Sequence, residues 1–108
     1  MSDNTDDYEG FEWDAAKRHD ATFASRGLDF EAAARVFADD YLEREDTRRD
    51  YGERRYLVTG EVDGRVITVV WTPRSGRRRI ISARRASDRE RSSYRDHREE
   101  IERRDPSR

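Results

Sequence analysis

Two helical stretches followed by alternating strands predict an α+β domain, with two N-terminal helices packed on an antiparallel sheet of three to four strands and a C-terminal helix after it. Three observations carry this. Phe30, Ala33, Ala34 and Phe37 recur at the i, i+3, i+4, i+7 spacing of a helix with one apolar face. Asp63-Gly64 separates two runs rich in β-branched residues, the strongest local signature of a two-residue hairpin. Ser87 and Glu90 stand at the spacing of a helix capping box.

Each element follows in order. Residues 1–10 carry four acids and no hydrophobic periodicity, which reads as a flexible acidic tail. Phe11 to Trp13 opens a single domain over 11–100. Asp14 caps a first helix whose thin stripe, Ala16 and Phe23, ends near Gly27, and Asp29 caps the second. Tyr41-Leu42 is a short edge strand. After a charged loop, 54–62 and 65–72 pair across the Asp63-Gly64 turn, and Pro73 is expected to stop the second of them. Another turn at Ser75-Gly76 returns a third strand, 79–84. The last helix begins after Ser87 and frays beyond Glu100, leaving 101–108 as a tail.

A chain of 108 residues, 32% hydrophobic and 44% charged, buries only a small core and leaves no room for a second domain. It has no cysteine and two histidines, so disulfides and thiolate chemistry are excluded and neither a metal nor another cofactor is expected. Without a long apolar run or a signal-peptide pattern, the expected location is the cytoplasm, with no membrane contact. The net charge of −2 averages unlike parts. Residues 1–46 hold 14 acids and 5 bases, a balance of −9, whereas 47–85 hold 11 arginines and 4 acids, a balance of +7. Residues 86–108 balance 7 against 7.

The positive excess therefore sits on the strands. Arg55, Arg65, Arg77, Arg78, Arg79, Arg84 and Arg85 fall at strand starts and ends, and the expectation is that adjacent strands gather several of these guanidiniums where RNA phosphates can be held. The planar five-donor guanidinium suits phosphate better than an ammonium does. A solvated, salt-bridged surface is the competing reading of the same residues. Trp13, Phe30, Phe37 and Trp71 are assigned to packing, with Trp71 the aromatic whose exposure would turn it toward a nucleobase.

Four segments in order, Phe11-Glu-Trp-Asp-Ala-Ala-Lys17, Arg26-Gly-Leu-Asp-Phe-Glu-Ala-Ala34, Tyr51-Gly-Glu-Arg-Arg-Tyr56 and Arg79-Ile-Ile-Ser-Ala-Arg-Arg-Ala86, make the chain resemble the BrnT toxin family. The resemblance continues through Arg89-Glu-Arg91 to Tyr94. It departs where the family pattern has Lys-His-Gly and this chain has Ser25-Arg26-Gly27. The resemblance implies a compact relative of the RelE-like ribonuclease toxins that cleaves RNA and is inactivated by a cognate antitoxin encoded nearby. DNA is then touched only indirectly, through the antitoxin.

Under that implication the ribose 2′-hydroxyl attacks the adjacent phosphate without a metal. Arg55, Arg79 and Arg84 orient the phosphate and stabilise its developing charge. Glu53 and Glu90 are the candidates for proton transfer, although Glu90 also has the capping role. Lys17, Arg65, Arg78, Arg85 and Tyr94 are assigned to RNA binding, Tyr94 with core anchoring as its rival role. The alternative function is a toxin-like subunit, weak or inactive in catalysis, that acts in antitoxin binding and operon autoregulation. A generic small interaction domain is the third possibility.

Overall fold

The computed structural model describes residues 8–14 and 29–104. Its centre is a mixed sheet of five strands, β1 (Phe11–Trp13), β2 (Tyr41–Glu45), β3 (Tyr56–Val62), β4 (Arg65–Arg74) and β5 (Arg77–Arg85), in the order β1-β5-β4-β3-β2. This corrects the expected sheet of three to four antiparallel strands. β2 through β5 are antiparallel neighbours, but β1 lies parallel to β5, with Glu12 opposite Arg79. Three residues are too few to show a period-2 pattern, and a parallel pairing closed by a long connection leaves no local signature. Backbone bonds from Arg78 N to Gly10 O, 3.0 Å, and from Glu9 N to Gly76 O, 2.8 Å, carry the pairing past the strand itself.

The described residues contain two α-helices, α1 (Phe30–Ala33) and α2 (Asp88–Arg104). Of the two expected N-terminal helices, the first lies outside the described residues, and the second forms as the single short turn of α1. Asp29 caps α1 as its position requires, its Oδ1 accepting from Ala32 N at 2.9 Å. After one turn the helix tightens into a 3₁₀ segment, Ala34–Ala38. The tighter winding places residues three apart on one face, which turns Val36 inward beneath Ala33. Close approach of this segment to β3 requires Gly60, because a Cβ there would lie 2.7 Å from Val36 Cγ2.

The Asp63-Gly64 turn forms with both residues at positive φ, 53° and 78°, the mirror-image type I′ geometry that the dipeptide favours. Pro73 does not end β4, which runs to Arg74. β3 begins at Tyr56 opposite Trp71, so beyond Trp71 the fourth strand is bordered by β5 alone and the missing N–H of Pro73 breaks no ladder. A second tight turn, Ser75-Gly76, also has both φ values positive.

Alternation divides the sheet into two faces. One, carrying Val58, Ile67, Val69, Trp71, Ile80 and Ala83, packs under α1 and the 3₁₀ segment. Trp71 is fully buried, stacked on Tyr56 at 5.0 Å and edge-on to Tyr8 and Phe37, with its indole N–H donated to Glu43. It is a core residue, not a base platform. α2 crosses the other face on the β2–β3 side and continues to Arg104, past the point where fraying is expected from sequence. No helix among the described residues is long and apolar enough to cross a membrane.

Candidate functional site

The second face can be laid out from the strand registers. One cross-strand row runs Leu42, Thr59, Thr68, Arg84. The next runs Arg44, Leu57, Val70, Ser82, and a third holds Thr72, Arg79 and Glu12. Strand alternation extends the third row to Arg55, one residue before β3. Guanidiniums from β2, β5 and the start of β3 thus surround a floor of Leu57, Val70 and Ser82.

Glutamates hold these arginines. Glu12 meets Arg79 at 3.1 Å, and Glu53 meets Arg55 at 3.0 Å. Arg55 also lies 4.1 Å over the ring of Tyr51, whose hydroxyl donates to the buried Asp46 carboxylate at 3.0 Å. Two bonds from the Arg48 guanidinium, each 2.8 Å, hold Asp46 well below the usual carboxylate range, and so fix the loop that carries Arg55.

The densest network surrounds Glu90. Its Oε1 accepts from Arg84 Nη1, 2.8 Å, from Thr68 Oγ1, 2.9 Å, and from Ser87 N, 2.8 Å, while Oε2 accepts from Arg84 Nη2, 3.0 Å. Ser87 Oγ accepts from Glu90 N at 3.1 Å, which completes the capping box. Thr59 and Thr68 share a hydrogen bond of 2.8 Å beneath it, and Arg44 Nη2 stands 3.5 Å from Oε2. Burial works against ionisation of this carboxyl, but the bonds from Arg84, Ser87 and Thr68 outweigh it and bring its pKa down to about 2. Glu90 is therefore a fixed anion near neutrality. Both of its oxygens are engaged, so the side chain is held in place and holds its partners in turn.

What Glu90 positions is Arg84. A guanidinium has five N–H donors; Glu90 takes two, and the Arg85 carbonyl takes a third from Nη1 at 3.2 Å. Among the described residues two are left without a partner, on Nε and Nη2. They share one edge of the planar group and form a parallel fork matched to two oxygens of a phosphate. With its side chain 36% exposed, Arg84 keeps that fork within reach of solvent.

The other expected residues distribute as follows. Arg78 is not on this face: it is 4% exposed, its guanidinium 4.3 Å over Phe37 and about 5 Å from Trp71 and Tyr8. Arg65 and Arg85 stand opposite the core residues Val62 and Ile67, at the end of the sheet away from Arg79. Tyr94 is 5% exposed on α2, and burial pushes its hydroxyl pKa up. Lys17 lies outside the described residues. Arg44, Thr59, Thr68 and Glu12 were not singled out from sequence. The threonine pair was accessible there, since a two-residue turn at Asp63-Gly64 fixes Thr59 opposite Thr68.

Among the described residues no three His, Asp or Glu side chains are grouped to hold a metal. A family model described as the ribonuclease toxin BrnT of type II toxin-antitoxin systems matches residues 13–90. The chain belongs to the BrnT family. The match runs from Trp13, the last residue of β1, to Glu90, and so includes β2 through β5 in full. As a BrnT-family member, the chain is assigned to ribonuclease toxins, and a type II system implies an antitoxin partner. No curated protein and no solved structure matches the chain.

Proposed function

We propose that this chain is an endoribonuclease toxin that cleaves RNA on the arginine face of its sheet and is neutralised by a cognate antitoxin. The observation that carries the reading is the Glu90-held Arg84 with its unused donor fork. In the proposed reaction the 2′-hydroxyl attacks the adjacent phosphorus, the O2′–P bond forms and the P–O5′ bond breaks. A cyclic phosphate and a free 5′-hydroxyl result.

Arg84 binds two non-bridging oxygens through Nε and Nη2, and the charge that grows on them strengthens both bonds in the transition state. Arg55 and Arg79, each tethered to a glutamate, hold flanking phosphates. Solvent takes the 2′ proton and returns one to O5′, while Glu53, half exposed, orients Arg55. Arg65, Arg85 and Lys17 are kept as further RNA contacts. The antitoxin competes with RNA by covering the same guanidiniums, as charge complementarity favours. Any contact with DNA comes through the antitoxin, and the site of action is the cytoplasm.

One observation favours a second reading, a catalytically weak toxin-like subunit acting in antitoxin binding and operon autoregulation. Both carboxylates expected to move protons are bonded to arginines. Controlled expression with and without the neighbouring gene separates the two. Growth arrest relieved by that gene, and lost in Arg84→Ala, supports cleavage. Arrest that persists in Arg84→Ala, or no arrest at all, sinks it.

A further inference from the structure

Beside the Arg84 fork the face dips into a cavity of about 420 Å³ between β2, β3 and the first turns of α2. Leu42, Leu57 and Thr59 form its floor, and Arg44, Arg89 and Ser93 its rim, with the Glu90 carboxylate on the wall toward Arg84. Its volume is that of a small-molecule site. Its chemistry is divided: aliphatic side chains below, guanidiniums above.

Arg44 is the residue that decides what fits. It springs from β2 and Arg84 from β5, three strand spacings away, or about 14 Å between backbones. Yet both guanidiniums converge on one carboxylate, because Glu90 Oε2 stands 3.0 Å from Arg84 and 3.5 Å from Arg44. At 62% exposure Arg44 commits one long contact and leaves its other donors to solvent, and Arg89, also exposed, forms no ion pair within the described residues. Three guanidiniums, Arg44, Arg84 and Arg89, stand around one carboxylate, that of Glu90, while Glu43 lies opposite Val58 and turns its carboxylate to the core face. Glu90 is already held by Arg84, and Glu43 accepts the Trp71 indole N–H. The surplus is positive and lies at the rim, where a phosphate would sit, above a floor that suits the flat face of a base.

Resting on the ribonuclease reading, we propose that this cavity is the subsite for the nucleotide next to the scissile phosphate. The base enters above Leu42 and Leu57, and Arg44 and Arg89 take the outer phosphate. Arg44 is then a substrate-binding residue that works beside Arg84, and the cavity gives the enzyme its grip on an unpaired base. A duplex cannot place a base there, so the substrate class is single-stranded RNA.

The test uses the full chain with a fluorescent single-stranded RNA oligonucleotide, in wild type, Arg44→Ala, Ser93→Trp, which fills the cavity, and Arg103→Ala as a charge control on the exposed end of α2. Binding is followed by anisotropy across a salt series, and cleavage by initial rates. Affinity is expected to fall about tenfold in Arg44→Ala, with the slope of log K against log salt reduced by about 0.7, as for one lost contact to a single-strand phosphate. Ser93→Trp weakens binding to a similar degree with its salt slope unchanged, and both variants raise KM far more than they lower kcat. Wild-type binding in both variants overturns the subsite while leaving the ribonuclease reading in place. Binding that is lost in both while wild type cuts nothing retains the subsite and overturns the reading. Equal losses in Arg103→Ala reduce the effect to bulk charge and overturn the subsite as well.

Discussion

Glu90→Gln separates the charge of the Glu90 carboxyl from its shape. Free of the fold, a glutamate titrates near 4.5; in the folded chain the bonds from Arg84, Ser87 and Thr68 bring it to about 2. A group whose folded pKa is depressed contributes stability that is fully present above its unfolded pKa and is lost as the pH falls toward the folded one. The difference corresponds to about 3 kcal/mol at neutral pH, of which about 2 kcal/mol is gone by pH 3. The amide of glutamine keeps the volume and some hydrogen bonds but does not titrate. Urea unfolding of both proteins from pH 7 to pH 2.5 should therefore show two stability curves that differ by about 3 kcal/mol at pH 7 and converge on acidification between 4.5 and 2. Taking the difference between the proteins cancels the titration of Asp46, whose depressed carboxyl is common to both. Parallel curves would refute the reasoning, because the network would then be held by shape and not by charge.

Two further outcomes follow from the packing. Thr68→Val removes the hydroxyl that joins Thr59 to Glu90 at full burial and leaves an acceptor short of its donor; a loss of about 1–3 kcal/mol is expected, read as a fall in Tm. Gly60→Ala drives a methyl against Val36, and a cost of about 1–3 kcal/mol in thermal unfolding is expected, with RNA binding unchanged since Gly60 is on the core face. A Gly60→Ala protein as stable as wild type would mean that the 3₁₀ segment does not sit where it is described.

The parts of the fold that were legible in the sequence are those made by neighbours in the chain. Asp29, Asp63-Gly64 and the Ser87–Glu90 box act within four residues, and each does what its chemistry prescribes. β1 was not legible, because its partner lies more than sixty residues away and its pairing is parallel. Pro73 misled for a related reason: whether a proline ends a strand depends on which neighbour borders it there, and that depends on where β3 begins. At the site, Arg55, Arg79 and Arg84 could be chosen because they fall in the segments that resemble the family, and the structure brings them, with Glu53 and Glu90 bonded to two of them, to one face. Arg78 could not be told from Arg79, since adjacent strand residues point to opposite sides and only the register shows which side carries Phe37 and Trp71. Arg44 was missed because the expected edge strand stopped at Leu42.

The central claim is that Glu90 fixes Arg84 so that an intact donor fork meets the scissile phosphate. Cleavage of single-stranded RNA by purified wild type and Arg84→Lys under single-turnover conditions tests it most directly. Lysine keeps the charge but has neither the fork nor the geometry to meet Glu90 and a phosphate together, so the account predicts a rate lower by about 10²–10³ with the protein still folded. A folded Arg84→Lys protein that cleaves RNA at the wild-type rate would contradict it.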